Sequence, residues 1–312
     1  MKARVLAYLA LAACATNPRS ASFDQNPSTG DASSDSGATG DDGSAQGDAG
    51  TPPLFGGDGG SDACVPTSPT ETTCDGKDDD CNGKIDDVDV GKDGICDCVR
   101  IGLLGKPGYY GSNNFQQWLV SKGTKVTRVQ QTTTEALDAA ALAPFDMVIL
   151  DWLQRTYTTT EVKAFSDWLV AGHGALALSG FAELYEVERP NSLMTVLGMT
   201  FTGANQVANR QTVTDFSPPH ALSSGVTSVT FYGGSAVIGG APVVPGTHAA
   251  FARVGASVVG MAHEGPTARA VAWGDEWIEF DSEWSSVPDI NRFWANIVSF
   301  LTPRCEVPPP PR

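Results

Sequence analysis

From residue 99 onward, short apolar runs alternate with stretches whose apolar residues recur every three to four positions, a pattern that predicts strands and helices in turn. Residues 99–104 read as a strand and lead into the Gly/Pro turn GKPGYYG. Residues 112–122 put Phe115, Trp118, Leu119 and Lys122 at helical spacing and stop at Gly123. Residues 125–129 predict a second strand. Residues 146–151 (DMVILD) predict a third, nearly all apolar, as suits a strand covered on both faces. Thr158 with Glu161 makes a capping box, and Val162, Phe165 and Leu169 form the buried stripe of the helix that follows. A fourth strand spans 175–178. This βαβαβαβ order predicts a parallel sheet with right-handed crossovers.

Residues 198–265 change character. Gly, Pro, Val and Thr in short alternations, such as VTSVTFYGG and the EG turn after His263, predict antiparallel strands and hairpins. The parallel pattern returns at 268–273, before the turn GDEW. A last helix, capped near Asp289 and ended by Pro303, carries Ile290, Phe293, Trp294, Ile297 and Leu301 on one face. The expected fold class is therefore α/β: a flavodoxin-like three-layer domain over residues 99–303, with a mainly parallel sheet and an antiparallel insert. Residues 304–312 form a Pro-rich tail, EVPPPPR, expected to be extended polyproline.

Before residue 99 the alternation is absent. Lys2 and Arg4 precede an apolar stretch from Val5 to Ala13, so residues 1–14 read as a signal peptide ending at Cys14. Residues 15–63 hold almost no large apolar side chains beyond Phe23, Leu54 and Phe55, too few to offset the entropy of ordering, and are expected to be a disordered linker. As a flexible chain it would reach roughly 35–40 Å. Residues 64–98 contain Cys64, Cys74, Cys81, Cys96 and Cys98, with Cys305 far downstream. So small a segment needs disulfides or a metal to hold it. Seven cysteines less Cys14 leave six, which suits an oxidising compartment; their connectivity stays open among 15 pairings. An odd five in the segment suggests that Cys305 returns to Cys96 or Cys98.

Charge narrows the partners. Of the formal −16, residues 1–98 contribute −12 (18 acids, 6 bases) and the remainder −4 (18 acids, 14 bases). Nucleic-acid binding needs clustered Lys and Arg that are missing here. No apolar run approaches the ~20 residues of a membrane-spanning helix. The densest acidic stretch is CDGKDDDCNGKIDDVD, residues 74–89. Asp78, Asp80 and Asn82 precede Gly83, as ligands at positions 1, 3 and 5 of a calcium loop precede a glycine at 6. Ile85 is expected to turn inward and anchor the loop.

Three resemblances follow. Leu11-Ala12-Ala13-Cys14 resembles a bacterial lipobox; this implies a lipidated Cys14 and, with Ala15 next, anchoring in the outer membrane of the cell envelope. An ordinary secretory signal is the alternative. CDGKDDDCNGKIDD resembles a short metal-binding motif of Gram-negative surface proteins, with Asn82 and Asp87 departing from its usual Asp and Glu. The resemblance implies Asp78, Asp80, Asn82, Asp86 and Asp87 as ligands, with Asp87 or Asp89 closing the shell. Hard oxygen donors favour calcium. Copper ranks second because no His or Met is near, zinc through the cysteines third, and a metal-free acidic loop remains open. Finally, FDMVILDW, VAGHGALALSGF, NSLMTVLG, PPHALSSGV, RAVAWGDEW and NRFWANIVSFL resemble, in that order, the class I glutamine amidotransferase-like fold of the trehalose-utilisation type. True glutaminases of that fold need a cysteine nucleophile where this chain has Ser179-Gly180-Phe181, so glutamine hydrolysis is not expected.

In such a sheet ligands bind beyond the carboxyl ends of the strands. The residues expected at this cleft are Lys106, Tyr109, Tyr110, Asp151, Trp152, Ser179, Asp275, Glu276 and Trp277. Ser179, His220 and Asp275 can be drawn as a hydrolase triad, although the G-x-S-x-G elbow is missing. The plainer expectation makes His220 a turn residue and Asp275 a turn cap, with Trp273, Trp277 and Trp284 in the core. A cleft rimmed by aromatics with carboxylates inside would suit a glycan or another small polar ligand. The sequence thus predicts a calcium-binding surface lipoprotein whose α/β domain is structural or ligand-binding, with a carbohydrate-related hydrolase as the alternative.

Overall fold

The computed structural model describes residues 64–302 except 72, 109, 181–182, 204–206 and 208–209. The predicted signal peptide with Cys14, the linker, Tyr109, Cys305 and the Pro-rich tail lie outside the described residues. By contacts the chain divides into residues 1–58 and residues 59–312, and all that follows belongs to the second unit.

In chain order the elements are β1 (Arg100–Leu104), α1 (Asn113–Ser121), β2 (Lys125–Val129), α2 (Ala139–Leu142), β3 (Met147–Leu150), α3 (Thr159–Val170), β4 (Gly174–Leu178) and α4 (Tyr185–Met194). Then come β5 (Met199–Phe201), β6 (Gln211–Val213), β7 (Val229–Phe231), β8 (Val237–Gly239), β9 (Thr247–Val254), β10 (Ser257–Glu264), β11 (Arg269–Trp273), α5 (Asp281–Ser286) and α6 (Ile290–Leu301). Seven strands form one sheet in the order β2-β1-β3-β4-β11-β10-β9. The first five are parallel. Their order matches the 2-1-3-4-5 of flavodoxin-like domains. Strands β10 and β9 extend the sheet antiparallel, as the alternations of the insert predict. The short pairs β5–β8 and β6–β7 are also antiparallel.

Period-two alternation along each strand divides the core into two faces. Ile101, Leu103, Met147, Ile149, Leu176, Val271 and Trp273 meet Phe115 and Leu119 of α1 and Phe293, Trp294 and Ile297 of α6. Leu104, Val148, Leu150, Ala175, Ala177, Ala270 and Ala272 face Phe165, Trp168 and Leu169 of α3 and Leu193 and Met194 of α4. The result is the expected three layers. Asp289 precedes α6 as predicted, but its carboxylate does not cap that helix; it accepts from Thr227 N, Thr227 Oγ1 and Ser228 N. It ties the insert to the helix instead.

The predicted capping box of α3 is present. Thr158 Oγ1 accepts from Glu161 N, and the Glu161 carboxylate accepts from Thr158 N at 2.9 Å. Glu161 also accepts from Leu137 N at 2.9 Å and pairs with Arg155. Thr158→Ala should cost about 1 kcal/mol, as lost caps do. Glu161→Ala should cost more, because it frees a guanidinium and two amides together. Urea unfolding of the two variants would order them; equal losses would mean that Glu161 acts only as a cap.

The Cys/Asp-rich segment is stapled by Cys64–Cys81 and Cys74–Cys98. Cys98 is therefore unavailable to Cys305. Ile85, expected to turn inward, is instead 62% exposed, and Val88 and Ile95 bury themselves in its place. Ile95 and Cys96 join the core cluster of α1 and α6. Lys122–Asp93 at 2.6 Å and the Ser299 hydroxyl on the Gly94 carbonyl fix the segment to those two helices.

Candidate functional site

Two arrangements of polar side chains stand out. The first lies past the carboxyl ends of the parallel strands, where the fold places ligands. Asp151 follows β3, and Asp275 and Glu276 follow β11 with Glu279 and Glu283; all five are buried. Arg128, on β2, reaches Asp151 Oδ2 at 2.8 Å and the Gly105 carbonyl at 3.2 Å. The carboxyls of Asp151 and Glu279 are close enough to influence each other's protonation, and burial raises both. For Asp151, Arg128 works against that rise; for Glu279, the charge of Asp151 adds to it. Two acids so close cannot both ionise, so Glu279 is the one that keeps its proton. Burial also raises Glu276 well above the carboxylate range and pushes Asp275 up to about 8.

Among the described residues the space beside Trp152 and Glu276 is small: about 10 Å³ remains between them and Leu150, Leu178, Tyr185 and Arg189, barely one water's worth. Aromatic rings pack nearby. A Cβ on Gly108 would lie 2.3 Å from Phe280 Cε1. Tyr110, 58% exposed, leans on Trp277, which stacks on Tyr232 at 3.8 Å. Trp152 holds a positive φ of 32°, a strained backbone for a bulky side chain.

The drawn triad does not assemble. Ser179 is fully buried and donates to the Gly274 carbonyl at 2.8 Å. Asp275 caps its own turn, accepting from Trp277 N and Tyr232 N, as the plainer expectation held. His220 accepts from Leu222 N through Nδ1, and its Nε2 meets Glu264 at 2.7 Å. Glu264 pairs with Arg269 at the start of β11, whereas Asp275 follows its end. Six residues at ~3.3 Å each separate those ends by roughly 20 Å. Trp273 is core as expected, Trp284 packs against the core, and Trp277 is half-buried at the rim.

The second arrangement is the acidic loop. Asp78 accepts from Asn82 N at 3.0 Å and Gly83 N at 2.9 Å, and Asp80 accepts from Asn82 N at 3.1 Å. Gly83 has φ 88°, the left-handed turn expected at the sixth position. One carboxylate oxygen each from Asp78, Asp80 and Glu71 lie within 4.8 Å of one another. Glu71, three residues upstream of the motif, was not among the predicted ligands. It is only 2% exposed; Oε1 accepts from Asp79 N at 2.6 Å, while Oε2 is buried with no hydrogen-bond partner among the described residues. The remaining predicted ligands are placed otherwise. Asp86 accepts from Asp75 N and Gly76 N, and Asp89 from Asp93 N and Gly94 N, so both act as loop caps. Asp87 pairs with Lys84 at 3.3 Å and meets the Asn82 amide at 3.4 Å. It borders the cluster without joining it.

The missed residues left faint signals. Arg128 is a charge flanked by Thr127 and Val129 inside a strand, and Glu279 interrupts the apolar run WIEF.

No protein-family model matches the chain, and no curated protein matches it. Solved structures are similar at the level of the fold. A cytoplasmic protein from Salmonella typhimurium is 12% identical at a TM-score of 0.49, covering 66% of this chain and 100% of its own. A ThuA-like protein from Bacteroides uniformis is 11% identical at 0.43, covering 64% and 89%. A glutamine amidotransferase from Thermotoga maritima is 10% identical at 0.42, covering 64% and 96%. Likenesses so distant say nothing of chemistry; the strand order itself identifies the fold.

Proposed function

We propose that this chain is an envelope lipoprotein, anchored through Cys14, whose disulfide-stapled segment binds calcium and whose α/β domain is non-catalytic. The observation that supports the calcium site is the buried, unpartnered Glu71 Oε2 beside Asp78 and Asp80. An isolated carboxylate oxygen in such a place is costly unless a cation or proton meets it. The donors are all hard oxygens, which fits calcium. Glu71, Asp78 and Asp80 would hold the ion and water would complete its shell. The ion would neutralise the repulsion among acids crowded into one loop. The small space beside Trp152 and Glu276 and the distance of His220 from Ser179 support the non-catalytic reading of the larger domain.

Calorimetric titration of the oxidised chain with calcium tests the site. One ion per chain is expected, with Glu71→Gln and Asp80→Asn each weakening it about tenfold or more. Asp86→Asn should lower the melting temperature yet leave calcium affinity unchanged, since Asp86 caps amides. No heat of binding, or a loss confined to Asp86→Asn, would refute the assignment.

A further inference from the structure

We infer that the hairpin of β9 and β10 carries a second metal site, built from His248, His263 and Met261, that takes a soft ion of the Cu(I) type. His248 and His263 are direct cross-strand partners, so their side chains share one face of the sheet. Met261 lies two residues before His263 on β10 and points to the same face.

His263 is fully buried, and among the described residues neither of its ring nitrogens has a hydrogen-bond partner. The Pro245 carbonyl lies near without completing a hydrogen bond. Buried polar atoms are almost always satisfied, so an imidazole with two free nitrogens calls for a ligand.

His248 supplies the second donor. Its Nε2 is 2.7 Å from the Leu197 carbonyl. A carbonyl only accepts, so Nε2 bears the proton and Nδ1 is left with its lone pair. Metal-binding histidines are commonly oriented in this way, through a carbonyl on the other nitrogen. The third donor is the Met261 thioether, 7% exposed.

Gly239 on β8 leaves space beside His248 and Met261, while His263 Nε2 lies against Gly246, where a Cβ would sit 2.4 Å from it, so Nδ1 is the nitrogen left for an ion. A Cβ on Gly239 would sit 2.8 Å from His248 Nδ1 and 3.4 Å from Met261 Sδ, so both face the hole left by the absent side chain. The two imidazole centroids are 5.6 Å apart. Rings sharing one ion at metal–nitrogen distances of about 2.0 Å hold their centres at roughly that spacing. Two imidazoles and a thioether in a largely dry pocket suit Cu(I), and they are a poor set for the hard ion of the acidic loop. The two sites are separate in sequence and in donor chemistry.

The test uses the full chain with its disulfides formed and Cys14→Ser, so that no free thiol competes. Cu(I) is offered as its bicinchoninate complex under ascorbate. One copper per chain should transfer, and X-ray absorption should show nitrogen and one sulfur around it. Met261→Leu, nearly equal in volume, should melt as the parent does without metal but hold copper about tenfold or more weakly, with the sulfur signal gone. His248→Asn should abolish the transfer. Glu71→Gln should leave it intact. Failure to draw copper from the chelator, equal affinity in Met261→Leu, or loss of copper in Glu71→Gln would each overturn the site.

Discussion

Replacing Arg128 with methionine should destabilise the protein by about 3–5 kcal/mol at pH 7, the usual cost of stripping a buried charge of its partner. The side chain of Asp151 is wholly buried and that of Arg128 is 11% exposed, with 2.8 Å between them. One oxygen of Asp151 already lacks a hydrogen bond, so the carboxylate has no second donor to fall back on. Without Arg128, Asp151 must take up a proton at neutral pH beside a Glu279 that is protonated already. The penalty should therefore shrink as pH falls toward 4, where protonation is easy. A second change, Asp151→Asn, removes the charge and should recover most of the loss at pH 7. Chemical denaturation of both variants and of the double mutant measures this coupling. An Arg128→Met penalty below 1 kcal/mol, or one that Asp151→Asn does not relieve, would show that the pair is not what holds this edge together.

Much of this fold was legible because burial on two faces leaves a strong sequence trace. DMVILD could only be an interior strand, and the box of Thr158 and Glu161 marked a helix start that the structure keeps. The site was less legible, for reasons that differ by residue. Ile85 has the spacing of an inward anchor, but the Cys74–Cys98 bridge and the burial of Val88 and Ile95 orient the segment the other way. Asp86 and Asp89 look like ligands in a linear motif, yet a tight loop has amides to satisfy, and these carboxylates satisfy them. Glu71 lies outside the motif, and only tertiary folding brings it to Asp78. The triad failed because strand length is invisible in residue types: Ser179 and His220 belong to opposite ends of the sheet. The cleft was less legible because aromatics such as Tyr110 and Trp152 suit both a rim and a packed edge, and Tyr110 here packs against Phe280.

The buried acids should also make stability fall as pH rises. Asp275, Glu276 and Glu279 have folded pKa values above those of unfolded carboxyls, near 4, chiefly because burial opposes their charged forms. Between about pH 4 and the folded values, the native state holds protons that the unfolded state has released. Stability then declines with pH, by about 1.4 kcal/mol per unit for each proton so held, and for Asp275 the decline continues to about pH 8. Glu161, lowered first by Arg155, and Asp289, lowered first by Thr227, work in the opposite sense: they favour the fold above pH 4 and lose that contribution below it. The optimum should therefore lie near pH 5, on the acid side of neutrality. Glu279→Gln isolates one contributor, because glutamine is neutral and matches the protonated acid in shape. It should match the parent near pH 5, flatten the alkaline slope, and by pH 8 be more stable than the parent. Urea midpoints from pH 4 to 8.5 decide the matter: parallel curves for parent and variant would mean that Glu279 carries its charge in the folded protein, and that the acids at this edge are compensated in some other way.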